Sequence, residues 1–198
     1  IKATDLKVSF ETQIPVETAE SGTTTVYCDK LLGILRSLPE GEIEFEQQDG
    51  RLDIRPMFKK IDFQLKSIAG DKFPELQDVS DDQYFELPQA DLIEMIDQTI
   101  FAVSDDETRY FMNGVYLEHQ ENRIIMVATD GRRLSFIGKE VSTEVPTFSP
   151  VIIPPKILTM IRKLASGEGN ISLAVTDTHV FAKMDSKRIS SNLIEGQF

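Results

Sequence analysis

The stretch Ala128-Thr129-Asp130-Gly131-Arg132-Arg133-Leu134-Ser135-Phe136 decides the fold, because the chain carries it twice. The earlier copy is Ala3-Thr4-Asp5-Leu6-Lys7-Val8-Ser9-Phe10, 125 positions upstream at its first residue. Working outward, Lys30, Leu35, Arg36 and Leu38 fall opposite Lys156, Ile161, Arg162 and Leu164 at an offset of 126. Ile43 and Phe45 match Ile171 and Leu173, and Asp49 matches Asp177. Ile68-Ala69-Gly70-Asp71-Lys72-Phe73 resembles Ile194-Glu195-Gly196-Gln197-Phe198. Any two amphipathic α/β stretches share some pattern, but here order, spacing and identities agree over roughly 70 positions, which points to an internal repeat.

The repeat sets the domain organisation. Glu75 to Gln83 is polar and Asp-rich and reads as a linker, and a new unit opens at Phe85-Glu86-Leu87-Pro88-Gln89-Ala90. Residues 1–84 are therefore expected to be the later part of a first domain with its linker, and 85–198 a nearly complete second. With a period near 125, roughly 40 residues of the first unit and about a dozen of the second are expected to lie outside this chain. A fragment is the expectation, and the chain opens on Ile1, not Met.

Within each unit the pattern is α+β. Period-two alternation predicts strands at Leu6/Val8/Phe10, Ile43/Phe45, Leu52/Ile54 and Ile61/Phe63/Leu65, with Asp49-Gly50 as a hairpin turn. The second unit offers Ile124–Val127, Leu134/Phe136, Ile171/Leu173/Val175 and Val180/Ala182/Met184. Three segments carry helical spacing. Lys30–Leu38 would bury Leu31, Leu32, Ile34, Leu35 and Leu38, with Pro39 and Gly41 ending it. Gln89–Val103 would bury Leu92, Met95, Ile96 and Val103. Pro155–Ala165, with proline in its first turn, would bury Leu158, Ile161 and Leu164.

Composition narrows the functional classes. The chain is 40% hydrophobic and 27% charged, as in ordinary globular proteins. No apolar run approaches a membrane span, and the single Cys28 excludes an internal disulfide and fits a reducing, cytoplasmic setting. His119 and His179 are far apart and lack partners at ligand spacing, so neither a metal nor a cofactor is expected. Gly167-Glu168-Gly169 lacks the Lys-Ser/Thr of a phosphate-cradling loop, and no nucleophile motif occurs. Asp105-Asp106-Glu107 has the chemistry to hold Mg²⁺, but a solvated loop explains it better. No enzyme is read here.

The net charge of −12 argues against contact with nucleic acid only if the charge is evenly spread. On the first helix the side opposite the core carries Lys30, Gly33, Arg36 and Ser37. On the third it carries Lys156, Thr159, Arg162 and Lys163. Exposed helix faces carry charge for solubility, which alone accounts for most such patterns. Beyond that, the repeat puts Lys and Arg at the same two positions twice in an acidic protein, which suits non-specific contact with a duplex backbone.

Together with Arg109-Tyr110-Phe111-Met112-Asn113-Gly114, the segment Ala128–Leu134 closely resembles the β subunit of bacterial DNA polymerase III, the sliding clamp. Leu38-Pro39-Glu40-Gly41, Phe73-Pro74, Leu87-Pro88-Gln89-Ala90 and Leu193-Ile194-Glu195-Gly196-Gln197-Phe198 fit the same family in order and spacing. The resemblance implies repeated clamp domains, with antiparallel sheets outside and helices lining a central channel. It implies a homodimeric ring when the chain is full length, acting around double-stranded DNA in replication as a processivity factor without catalysis. It further implies a pocket for short hydrophobic peptides of the polymerase III catalytic subunit, the clamp loader, other polymerases and repair proteins. The matching positions are Met112, Thr129, Gly131, Arg132, Arg133 and Leu134. Met112 and Leu134 would form an apolar floor, and the arginines would bond peptide carbonyls or acids. Without the resemblance, the same residues read as a hairpin turn beside a core strand. DNA contact would fall to Lys30, Arg36, Lys156, Arg162 and Lys163 in the channel and to Arg109 and Tyr110 at its rim. One departure stands out: the helix from Gln89 bears Asp91, Glu94 and Asp97 on its polar side and no basic residue. An interaction scaffold that binds peptides but not DNA is the rival reading.

Overall fold

The computed structural model describes residues 1–196 and 198; Gln197 of the closing motif lies outside the described residues. Contacts divide the chain into two units, Ile1–Ile14 with Leu76–Phe198, and Pro15–Glu75. Along the chain, β1 (Lys2–Thr4) and β2 (Val8–Thr12) belong to the larger unit. The smaller unit holds α1 (Cys28–Ser37), β3 (Ile43–Gln48), β4 (Arg51–Pro56) and β5 (Phe63–Lys66). The larger continues with β6 (Phe85–Pro88), α2 (Gln89–Thr99), β7 (Val115–Gln120), β8 (Arg123–Thr129) and β9 (Leu134–Glu140). It ends with β10 (Val151–Ile153), α3 (Pro155–Leu164), β11 (Asn170–Val175), β12 (His179–Met184) and β13 (Lys187–Asn192). The fold is α+β, as expected from the alternating and helical periodicities.

All sheets are antiparallel. The larger unit has one of six strands, β1-β2-β13-β12-β11-β6, and one of four, β10-β7-β8-β9. Because β2 hydrogen-bonds β13 from Val8–Ser191 to Thr12–Lys187, the opening hairpin groups in space with the later residues, although the repeat places it in the earlier segment. Helix α2 lies on β8 and β9, α3 lies on β13, and the two helices touch. Between helices and sheets sits one apolar core, including Leu92, Met95, Ile96, Leu117, Met126, Ile157, Ile161, Leu173 and Ile189. A core of this kind is the main source of stability, at about 1.5–3 kcal/mol per fully buried large aliphatic side chain.

The repeat is visible as architecture. In the smaller unit α1 is followed by the sheet β3-β4-β5, and in the larger α3 is followed by β11, β12 and β13. In each, the residue three before the helix bridges to a residue just past the last strand: Thr25 to Ile68, and Ile152 to Ile194. The hairpin at Asp49-Gly50 forms as expected, both residues having positive φ (43° and 75°).

Several local expectations are corrected. Leu6 is not in a strand but in a left-handed turn (φ 73°), and Ile61 precedes β5 and is exposed. The second helix is α-helical only to Thr99, whose hydroxyl turns back on the Met95 carbonyl (2.7 Å), after which Ile100–Ala102 tighten into a 3₁₀ turn. Helix α3 ends at Leu164, which is only partly buried, and it also buries Ile157, which lies on the same apolar stripe as Leu158 and Ile161. Helix α1 buries none of its residues, and Leu32 is 39% exposed, since within its unit only one three-stranded sheet is there to cover it. Phe45 is half exposed because β3 is the edge of that sheet.

Candidate functional site

The turn between β8 and β9 is built by short polar side chains. Thr129 Oγ1 accepts from Gly131 N (3.0 Å) and donates to Arg133 O (2.7 Å). Asp130 Oδ1 accepts from Arg132 N (2.9 Å) and Arg133 N (3.0 Å). Those backbone donors, first Arg132 and then Arg133, hold the Asp130 carboxyl below its ordinary pKa. Gly131 sits at φ +83°, a conformation that side chains resist. The turn is thus held in one shape by its own side chains.

Two side chains fasten this turn to its surroundings. Arg133 pairs with Asp130 (3.1 Å), donates to the Phe101 carbonyl (2.5 Å) and lies over the Phe101 ring, 5.3 Å from its centroid. Phe101 was not among the residues singled out from sequence; it follows the helix by two positions, and its placement depends on where that helix stops. Arg109 approaches from the other side: a Cβ added at Gly131 would lie 3.1 Å from its guanidinium. Arg109 comes from the 3₁₀ segment Glu107–Met112, capped by Asp106, which accepts from Thr108 N (3.0 Å) and pairs with Arg109 (3.1 Å). That duty explains Asp106, and no cluster of metal-ligating side chains occurs among the described residues.

Around the turn the apolar surface stays open. Leu134 is 66% exposed, and Phe101, Tyr110 and Phe136 are each more than half exposed. Leu134 and Phe136 point away from α2, whereas Ser135 and Lys139 reach it through the Gln98 carbonyl and the carboxylates of Asp91 (3.1 Å) and Glu94 (2.6 Å). Met112 is half buried at the end of its segment, its carbonyl accepting from Ser104 N (3.0 Å). Tyr110 stacks edge-on with Phe111, and the backbone at Gly196 passes close to both. The structure therefore gathers Arg109, Gly131 and Arg133 at one turn. Arg132 and Leu134 stand exposed on the same loop.

The basic positions lie on the outer side of their helices, as the spacing predicts. Lys156, Thr159, Arg162 and Lys163 are all exposed on α3, and Lys30, Gly33, Arg36 and Ser37 on α1. What the spacing does not reveal is that two of the α3 cations are already engaged. Arg162 Nε donates to both carboxylate oxygens of Asp97 on α2, at 2.8 and 2.9 Å. Lys156 pairs with Asp5 in the β1–β2 turn. The hydrogen bond from Lys156 is the foremost cause that lowers the Asp5 pKa to about 2. The Asp97 bond likewise raises that of Arg162. Among the described residues Lys163, Lys30 and Arg36 make no ion pair.

Comparison with known proteins finds two family matches: the DNA polymerase III beta subunit N-terminal domain over residues 1–77, and its central domain over residues 86–198. The beta sliding clamp of Treponema pallidum is 44% identical over 198 residues, covering 100% of this chain and 53% of that protein. That of Escherichia coli K12 is 30% identical, covering 100% of this chain and 54% of that one. Among solved structures, the sliding clamp of Bartonella birtlesii bound to griselimycin superposes with a TM-score of 0.91 at 30% identity, over 100% of this chain and 54% of that one. The DNA polymerase III subunit beta of Pseudomonas aeruginosa gives 0.90 at 28%, over 100% and 55%. The chain spans about half the length of the curated relatives it matches.

Proposed function

The chain belongs to the DNA polymerase III β-subunit family, and from that premise we propose that it is the portion of a sliding clamp holding the later part of the first domain (residues 1–84) and most of the second (85–198). In the full-length protein, two copies close into a ring around double-stranded DNA and tether a polymerase by topology, without chemistry of their own. Tethering raises the local concentration of polymerase at the primer end. The loop Thr129–Leu134, with Met112, takes short hydrophobic peptides from the polymerase III catalytic subunit, the clamp loader and other polymerases and repair proteins. Lys30, Arg36, Lys156, Arg162 and Lys163 face the duplex, and Arg109 with Tyr110 meets it at the rim.

The observation that carries this reading is the β8–β9 turn. Its backbone is locked by Thr129 and Asp130, its arginines are displayed, and Leu134 is two-thirds exposed beside it. An apolar anchor next to rigid donors suits a peptide that inserts a hydrophobic residue and offers carbonyls. The test for encirclement uses full-length protein on DNA: it stays on closed circles at high salt and slides off linear duplex. Equal, salt-driven loss from both would sink the reading. The engaged state of Lys156 and Arg162 favours one second reading, a peptide scaffold indifferent to DNA. Neutralising Lys156, Arg162 and Lys163 together separates the two, since a scaffold loses no polymerase processivity.

A further inference from the structure

We propose that Asp97 and Asp5 are built-in competitors of the duplex: each occupies a cation that would otherwise take a phosphate, so that contact along α3 stays weak and exchangeable. This deepens the reading given above and rests on α3 facing DNA. The geometry is specific. Asp97 presents both oxygens to Arg162 Nε at 2.8 and 2.9 Å, so the carboxylate occupies a donor that a phosphate oxygen would also use. Asp5 is placed by its own turn, where it accepts from Lys7 N (3.0 Å) and Val8 N (2.8 Å), and its other oxygen meets Lys156. The carboxylates come from two different elements, one from α2 and one from the β1–β2 turn. Lys163, on the same face, makes no ion pair among the described residues.

The other acids of α2 are held differently. Lys139 on β9 bridges Asp91 and Glu94, which leaves those two without a claim on α3. The acidic helix that looked inconsistent with a cationic surface is thus divided between two tasks. Two of its carboxylates serve packing against the sheet, and the third governs Arg162. Exposed pairs of this kind are weak enough for a phosphate to displace the carboxylate and for the carboxylate to return. A protein that must move along a duplex needs contacts that exchange in this way.

The experiment is fluorescence anisotropy of the 198-residue chain with a fluorescein-labelled duplex, across a salt series. Asp97→Asn and Asp5→Asn should each tighten binding about 1.5- to 5-fold, the factor that an exposed pair commands. The salt dependence should steepen by about one in log–log slope for each cation released. The decisive arm is the double-mutant cycle. In an Arg162→Ala background Asp97→Asn should give no gain; an undiminished gain there would show a mere change in net charge and overturn the proposal. If wild-type binding falls with Arg162→Ala and Lys156→Ala yet neither Asn variant tightens it, the competition is refuted and the DNA reading survives. If neutralising all three α3 cations leaves duplex binding unchanged, both fail together. The two carboxylates sit on separate elements, so loss of folding in one variant, seen as a lowered Tm, leaves the other to decide.

Discussion

Thr4-Asp5-Leu6 and Thr129-Asp130-Gly131 make the same hydrogen bonds at the same relative positions. In each, threonine Oγ1 accepts from the amide two residues on and donates to the carbonyl four residues on, and aspartate Oδ1 accepts from the amides two and three residues on. The third residue takes positive φ in both, 73° at Leu6 and 83° at Gly131. A leucine in that region carries about 1–2 kcal/mol of strain that a glycine does not. The two sites therefore respond oppositely to exchange. Gly131→Ala should cost about 1 kcal/mol, with Arg109 also forced to move from 3.1 Å. Leu6→Gly should be neutral to stabilising by up to about 1 kcal/mol, since Leu6 is 73% exposed and loses no packing. Calorimetric Tm values for both variants check this; equal destabilisation would show that the turns are not equivalent.

At the scale of elements, α1 and α3 occupy matching places before three antiparallel strands but are held unequally. Helix α3 buries Ile157, Leu158 and Ile161 to within 2% exposure, while α1 buries nothing fully. Ile161→Ala should cost about 2–5 kcal/mol, the ordinary price of a cavity in a closed core. Ile34→Ala, at a partly buried position of α1, should cost less than half as much, because water already reaches its surroundings. Equilibrium urea unfolding measures both. A loss at Ile34 equal to that at Ile161 would contradict the burial described here. The three helices and the strands of clearest alternation were readable in advance, since helix and strand periods are local, whereas β1, β6, β7, β10 and β13 were not. Their ends were not: the second helix gives way to a 3₁₀ turn at Ile100, and that end point puts Phe101 beneath Arg133.

For the whole molecule, stability is expected to be uneven. In the unit Pro15–Glu75 only Leu52 and Ile54 are buried hydrophobics, whereas the larger unit encloses a continuous core. Amide exchange should accordingly be fastest over α1 and β5 and slowest over β8 and β12. Protection of α1 equal to that of β8 would refute this.

Residue order alone determined the α+β class, the internal repeat, the Asp49-Gly50 hairpin and the loop from Thr129 to Leu134. Each depends on side-chain period or turn chemistry within a few residues. Only the tertiary structure decided which charges meet. Asp97 reaches Arg162 across 65 positions and Lys156 reaches Asp5 across 151, and no local pattern encodes such a pairing. It also decided that β2 joins the sheet of β13, because strand pairing is selected by hydrogen bonds and burial between segments remote in sequence.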